Sequence, residues 1–257
     1  MVDSSVVHAY DAVASKYDAQ LARNPVAAEM RRQLHVHFGH IFRSGDRVLD
    51  FTAGTGADAL YLASRGISVT ALDASLGMIA ELRQNAAHQN SQIESSVLSA
   101  ERIGELDGHF DGAISAFAGL NTIEDMPLLA RNLAALIKPR GHVVLHALNR
   151  FCFWQWSANL LRQRGARDGA MCVGAVSVPH RLFDPLGLWR EVFAPYFDVC
   201  QLYALSVIAA PAVVKRIPRV APLIFRLDRT VGRMFPAAGD FFVMDLVRSD
   251  ERGHTGP

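Results

Sequence analysis

The sequence predicts an α/β fold built on a doubly wound, mostly parallel sheet. Three observations predict it. An apolar strand around Val48 and Leu49 ends in Asp50, passes a turn holding Gly54 and Gly56, and enters a helical run through Leu62. A second strand, Ile67 to Leu72, ends in another acid, Asp73. Strands and helices then alternate, as far as Ala147, at the spacing of parallel crossover units. Right-handed crossovers bring the carboxyl ends of these strands to one edge, where ligands bind in such sheets.

The N-terminal 45 residues precede the first strand. Val6, Tyr10, Val13 and Tyr17 recur at helical spacing, and Pro25 starts a second helical run to about Phe38. Two helices over the ligand edge are expected, with Tyr10 and Tyr17 within reach of it. Gly54 and Gly56 lack a Cβ, so the backbone can turn with positive φ and admit a ligand closely. The free N–H groups that open the next helix, Asp58 to Ser64, can hydrogen-bond that ligand. A carboxylate at Asp73 can accept both hydroxyls of a ribose. Two cofactors fit such a unit, a nicotinamide dinucleotide and S-adenosylmethionine (SAM).

Ser75 caps a helix from Leu76 to about Ala87, with Met78 one turn in. Ser96 to Leu98 is a short third strand, followed at the same edge by Ser99, Ala100 and Glu101. Phe110 to Phe117 is the fourth strand and leads to Asn121. Leu128 to Ile137 is a helix, stopped by Lys138-Pro139-Arg140-Gly141, and His142 to Ala147 is the fifth strand. Asn121, His146 and Asn149 fall at the ends of strands four and five. His146 is the best-placed candidate base, with Asn121 beside it, and His180 is a further histidine that could enter the cleft.

The last third breaks this rhythm. An aromatic stretch holds Phe151, Phe153, Trp154 and Trp156, and a small basic helix follows. Asp184-Pro185 opens a helix to about Phe193, Phe197 to Ser206 is a strand, and 207–236 is an apolar insert punctuated by Pro211, Pro218, Pro222 and Pro236. Within it Leu223, Ile224, Leu227, Val231 and Met234 are helically spaced. Asp240 to Val247 is a final strand, and its return after a long excursion suits antiparallel insertion. With the aromatic stretch, the insert is expected to form an apolar lid favouring a hydrophobic small molecule, with contact to a membrane surface or a second subunit open.

Composition narrows the function classes. Half of the 257 residues are hydrophobic, enough for a large core. Net charge is +1, with no basic tail or block, so nothing points to nucleic acid. Arg162, Arg164 and Arg167 read as a solvated face. Cys152, Cys172 and Cys200 match no zinc spacing, and their odd count argues against a disulfide framework, so no metal site and a reducing, cytoplasmic setting are expected. No signal peptide pattern opens the chain, and the longest apolar run, Leu202 to Val214, contains Pro211 and is too short to span a bilayer.

Five stretches together resemble the class I SAM-dependent methyltransferase family, over about residues 5–150 and the final strand. Val-Leu-Asp-Phe-Thr-Ala-Gly-Thr-Gly at 48–56 resembles its first motif, with the acid Asp50 four residues before Gly54. Ala-Leu-Asp-Ala-Ser-Leu-Gly-Met-Ile at 71–79 resembles its second, with Asp73 as ribose ligand. Phe-Asp-Gly-Ala-Ile-Ser at 110–115, Ile-Lys-Pro-Arg-Gly-His-Val-Val at 137–144 and Tyr-Asp-Ala-Val-Ala-Ser-Lys-Tyr-Asp at 10–18 resemble the fourth-strand motif, the turn into strand five and the N-terminal helix of small-molecule members. Thr52 stands where many members have a glycine, and Ser99 where an acid often follows strand three.

The resemblance implies one domain over 1–257: a helical cover at 1–45, a SAM-binding core at 46–150, and a sheet half at 151–257. It implies a Rossmann-like, seven-stranded, mostly parallel sheet with an antiparallel last strand, plus the N-terminal helices and the helical insert. It further implies methyl transfer by SN2 displacement onto a small acceptor, by a monomer or homodimer. Asp50, Thr52, Gly54 and Gly56 would border the methionine and ribose portion, Asp73 and Ala74 the ribose, and Met78, Ser99, Ala100 and Glu101 the adenine. Ser115 and Phe117 would lie near the methyl, with Tyr10 and Tyr17 above. A nicotinamide-dependent oxidoreductase is the rival, because Gly54-x-Gly56-x-x-Ala59 also fits a dinucleotide turn. A SAM-fold protein that binds without methyl transfer is a third reading.

Overall fold

The computed structural model describes residues 4–151, 169–173 and 176–250. The core is a seven-stranded sheet of β1 (Arg47–Asp50), β2 (Ser68–Asp73), β3 (Glu94–Val97), β4 (Phe110–Ser115), β5 (Ile137–Leu148), β8 (Phe197–Leu205) and β9 (Phe241–Arg248), in the order β3-β2-β1-β4-β5-β9-β8. β1 to β5 pair parallel, and β9 runs antiparallel between β5 and β8. This is the predicted Rossmann-like sheet. Val48 and Leu49 at its centre are fully buried, as strands covered on both faces require.

Helices cover both faces. α1 (Ser4–Ala22), α2 (Pro25–Ile41), α3 (Ala57–Ser64), α4 (Leu76–His88) and α5 (Met126–Leu136) follow the predicted order. Their starts carry the expected chemistry. Asn24 accepts from the Val26 N–H ahead of α2, Ser75 from Met78 N–H in α4, and Asp125 from Leu128 N–H in α5. α2, α3 and α4 bury one apolar cluster against the sheet, and α5 buries another on the opposite face.

Three elements differ from the expectation. Lys138 to Gly141 does not precede strand five but lies within it, as a bulge in which Arg140 has φ +63° and the pairing shifts between Phe110 and Gly112. Gly169–Val173 (β6) and Val176–His180 (β7) form a separate antiparallel hairpin, which the sequence reading left unassigned. The helix at Asp184 shortens to α6 (Pro185–Leu188) and passes into a π-turn, Trp189–Phe193. Phe153, Trp154, Trp156 and the arginines at 162, 164 and 167 lie outside the described residues.

The apolar insert becomes α7 (Pro211–Arg216), a 3₁₀ turn (Pro218–Val220) and α8 (Ala221–Met234). Pro211, Pro218 and Pro222 sit in first turns, where a missing N–H is harmless, and Pro236 lies in the turn after α8. Among the described residues, no helix is long and apolar enough to cross a membrane.

Candidate active site

β1 and β2 end side by side, and their turns are joined by one carboxylate. Asp73 Oδ2 accepts the Gly54 N–H at 2.9 Å, and Oδ1 accepts the Ser75 N–H at 2.9 Å. Gly54 has φ +54°, and nothing lies within 4 Å of where a Cβ would sit, so bare backbone faces open space. Gly56 plays a different part from the one expected. It has φ +86°, and a Cβ there would come 2.5 Å from Leu82 Cγ. Its missing side chain lets α4 pack against the start of α3, and it does not line the cleft.

The cleft above these turns has a volume of about 820 Å³, the open solvent at its mouth included. Of the expected cofactor residues, Tyr10, Tyr17, Thr52, Gly54, Asp73, Ala74, Met78, Ala100 and Phe117 line it. α1 is its cover. Asp11 Oδ1 accepts from Gly77 N–H (2.8 Å) and from the Ser75 hydroxyl (2.5 Å), and the Thr55 hydroxyl donates to Asp18 (2.6 Å). Val6, Ala9 and Val13 of α1 pack with Met78, so that methionine is both core and cleft wall. The insert does not form the lid expected of it, because none of residues 207–236 reaches the cleft.

Several expected residues lie beneath the cleft. Asp50 is buried under the turn and accepts the Thr52 N–H at 3.4 Å. The Ser115 and Thr52 hydroxyls are 2.8 Å apart. Thr52 also occupies the space a Cβ on Gly119 would need, at 2.4 Å, so the change from glycine at 52 is matched by a glycine at 119. Glu101 points away, its Oε1 accepting the Glu124 N–H, and Ser99 only precedes the 3₁₀ turn Ala100–Glu105.

The two catalytic candidates are corrected. His146 is fully buried, with its ring edge-on to Phe117 and stacked on Phe241. Its Nδ1 accepts the Phe117 N–H at 3.0 Å, so that nitrogen bears no proton and the ring proton is on Nε2. Burial holds its pKa down to about 3. A neutral ring whose basic nitrogen is already engaged is not a base. It positions Phe117 and Ala118, which have φ +51° and +66°, a conformation bulky residues avoid unless held. Asn121 is a structural tie, donating to the Leu148 and Arg181 carbonyls and accepting the Leu148 N–H. His180 is buried away from the cleft, with Nδ1 donating to the Val178 carbonyl, and Asn149 bridges Ala237 and Phe151.

Sequence reasoning missed Arg31 and Asp58, and both line the cleft. Arg31 lies 3.7 Å from Asp58, with its guanidinium 4.3 Å from the centre of the Phe117 ring. Asp58 was visible as an acid in the first helical turn after the glycines. Arg31 had no signal beyond its place in an amphipathic helix.

The site is rich in acid. Burial lifts the Asp50 carboxyl well above the usual range, and Asp58 and Asp73 lift it further. Asp73 is also raised, mainly by burial, against the pull of its two N–H donors. Burial pushes Asp58 upward too, but the His35 hydrogen bond (2.8 Å) and the nearby Arg31 hold it below its ordinary value. Burial raises the Tyr10 and Tyr17 phenols, which stay protonated. Among the described residues no His or Cys lines the cleft, and no cluster of His, Cys, Asp and Glu could hold a metal ion.

Residues 48–141 match the family model described as a methyltransferase domain. A ubiquinone biosynthesis O-methyltransferase of Xanthomonas axonopodis pv. citri is 30% identical over 135 residues, 52% of this chain and 56% of that protein. The chain thus spans about half the length of the curated relatives it matches. The [4+2]-cyclase SpnF shares the fold over 95% of each chain, with TM-score 0.66 and 16% identity. A phosphoethanolamine N-methyltransferase of Haemonchus contortus, solved in complex with SAM, shares it over 85% of this chain and 53% of that one, with TM-score 0.56 and 14% identity. The turns joined by Asp73, the sheet order with its antiparallel β9 and the matched stretch agree: residues 48–141 are similar to the methyltransferase domain family, and the chain shares the fold of these solved structures.

Proposed function

We propose that the cleft binds SAM and that the protein transfers its methyl group to a small, apolar acceptor. One observation carries the choice of cofactor: three acids, the buried Asp50 and Asp58 and the half-buried Asp73, surround the glycine turn, and Arg31 is the one arginine on the lining among the described residues. SAM brings an ammonium and a sulfonium to such a site. The pyrophosphate of a nicotinamide dinucleotide would bring anions to it.

Asp73 still has lone pairs on both oxygens for the ribose hydroxyls. Met78 and Ala100 border the adenine, and the Gly54 backbone lets the ligand approach. Arg31 meets the methionine carboxylate, while Asp50 and Asp58 supply the field for the ammonium. Bound SAM supplies a methyl group on a good leaving group, so the chain's task is alignment and exclusion of water. α1, with Tyr10 and Tyr17, closes over the cleft and performs that exclusion. Phe117, held by His146, Ile123 and Val6 give the acceptor an apolar wall.

With no His or Cys on the lining among the described residues, acceptors whose nucleophilic form is already present at working pH are favoured: acidic phenols as phenolates, carboxylates and neutral amines. The relatives' O-methyltransferase names support an oxygen acceptor. The cysteine usage supports a cytoplasmic location, and monomer or homodimer fits the size. Incubation with methyl-labelled SAM and a panel of phenols, amines and carboxylic acids tests the reading, with label expected on an apolar phenol. SAM binding without any transfer would favour the binding-only reading; no SAM binding would overturn both.

A further inference from the structure

The insert that fails to cover the cleft has another surface. α8 rests on β8 through Ala221, Asp228 and Gly232, where a Cβ on Gly232 would meet the Ala204 carbonyl. Asp228 is buried and accepts the N–H groups of Ser206, Ile208 and Ala209. The opposite side is apolar yet exposed: Leu223 is 58%, Leu227 50% and Met234 67% exposed, at spacings of four and seven, with Val220 one turn before them. Beside this ridge stand exposed Lys215, Arg216, Arg219, Arg226 and Arg233, none in an ion pair among the described residues. Asp228 is the one acid of 211–236, and it faces inward.

We propose that α7 and α8 dock on an anionic lipid bilayer, the apolar ridge entering the headgroup boundary and the basic residues meeting lipid phosphates. A helix with an apolar stripe flanked by arginines has the chemistry of an interfacial helix. A second copy of the chain fits worse, because a two-fold contact would set this cationic patch against itself. Nucleic acid would leave the leucine ridge uncovered. β8 is parallel to β5, so its end at Leu205 lies on the sheet edge that carries the cleft, and Arg229 of α8 pairs with Glu29 of α2, the helix that carries Arg31. Docking would therefore set the cleft beside the membrane surface. The proposal is independent of the methyl-transfer reading.

The test is sedimentation of the full chain with vesicles of phosphatidylcholine alone or mixed with phosphatidylglycerol. Binding is expected only to the mixed vesicles, weakening as salt rises. Each basic residue near an anionic surface strengthens binding roughly fivefold, so Arg226→Gln/Arg233→Gln should bind roughly 25-fold more weakly. Leu223→Ser/Leu227→Ser/Met234→Ser should lose most of the rest. All five positions are exposed, so both variants should keep the wild-type melting temperature. Failure of the wild type to bind mixed vesicles at low salt overturns the proposal, as does either variant binding as the wild type does. A wild-type dimer in sedimentation velocity that the leucine variant dissociates, with no vesicle binding, assigns the surface to a second copy instead.

Discussion

Asp73→Asn separates the two duties of that carboxylate. In the free protein Asp73 accepts two backbone N–H groups, one from each turn. In the proposed complex it also accepts two ribose hydroxyls. Hydrogen bonds to a charged acceptor are worth about 1.5–3 kcal/mol each, so the pair contributes about 3–6 kcal/mol. The amide keeps one neutral acceptor oxygen, worth about 1 kcal/mol, and turns an NH₂ toward the other partner. The expected loss is about 2–5 kcal/mol, or roughly 30-fold to several thousand-fold in affinity. Folding stability should change far less. The amide gives up one N–H acceptor but also removes a half-buried carboxyl whose raised pKa marks its ionised form as unfavourable there. Calorimetric titration with S-adenosylhomocysteine, beside a melting curve of the free variant, measures both. An affinity within threefold of wild type, in a variant that melts normally, would refute the ribose assignment.

Four further outcomes follow from the same geometry. Arg31→Met keeps packing on Phe117 but removes the charge, and should weaken S-adenosylhomocysteine binding about tenfold or more while adenosine binding is unchanged; titration with both ligands checks it. Asp50→Asn should stabilise the free protein at neutral pH. The raised folded pKa of Asp50 means its stabilising contribution is present below the unfolded pKa and lost as pH rises, so the variant's gain should grow from pH 4 upward in a melting series. His142 is raised by its hydrogen bond to Asp245 (2.8 Å), so its contribution is present below the unfolded value near 6.5 and lost as pH climbs through the higher folded pKa; His142→Asn should flatten that part of the melting profile. Gly56→Ala should destabilise by about 2 kcal/mol or more, from positive φ and the clash with Leu82, with no activity change beyond that expected from unfolding; chemical denaturation with activity of the folded fraction decides it.

The parallel half of the fold was legible because its signals are local. β1 to β4 begin or end at a Gly, an acid or a cap that neighbouring residues specify, and the caps at Ser75 and Asp184 stand where their spacing placed them. Strand five was shortened because Pro139-Arg140-Gly141 reads as a turn, and only pairing with β4 and β9 turns it into a bulge. The cofactor residues on the β1 and β2 turns were equally readable. His146 misled for a physical reason. Sequence places it at a strand end but cannot say which nitrogen a backbone N–H will occupy. Gly56 was readable as a glycine but not as a packing contact, because Leu82 reaches it from another helix.

The acids of the cleft tie folding to binding. Loss of hydration raises both the buried Asp50 and the half-buried Asp73, so in the free protein their ionised forms oppose folding as pH rises. Arg31 sits against Asp58, whose carboxyl also has His35 as partner. That leaves Asp50, with a single long N–H contact, as the least compensated charge in the site. A ligand cation nearby would lower its pKa and release a proton where the free site still holds one. Removal of an unfavourable charge and gain of a favourable pair then act in one step. Binding should therefore raise the melting temperature more at alkaline than at acid pH, and Asp50→Asn should shrink that difference to the part contributed by Asp73, whose contacts stay in place. A ligand-induced shift independent of pH in the wild type would mean that no positive charge reaches Asp50, and the methionine end of the cofactor would have to be placed elsewhere.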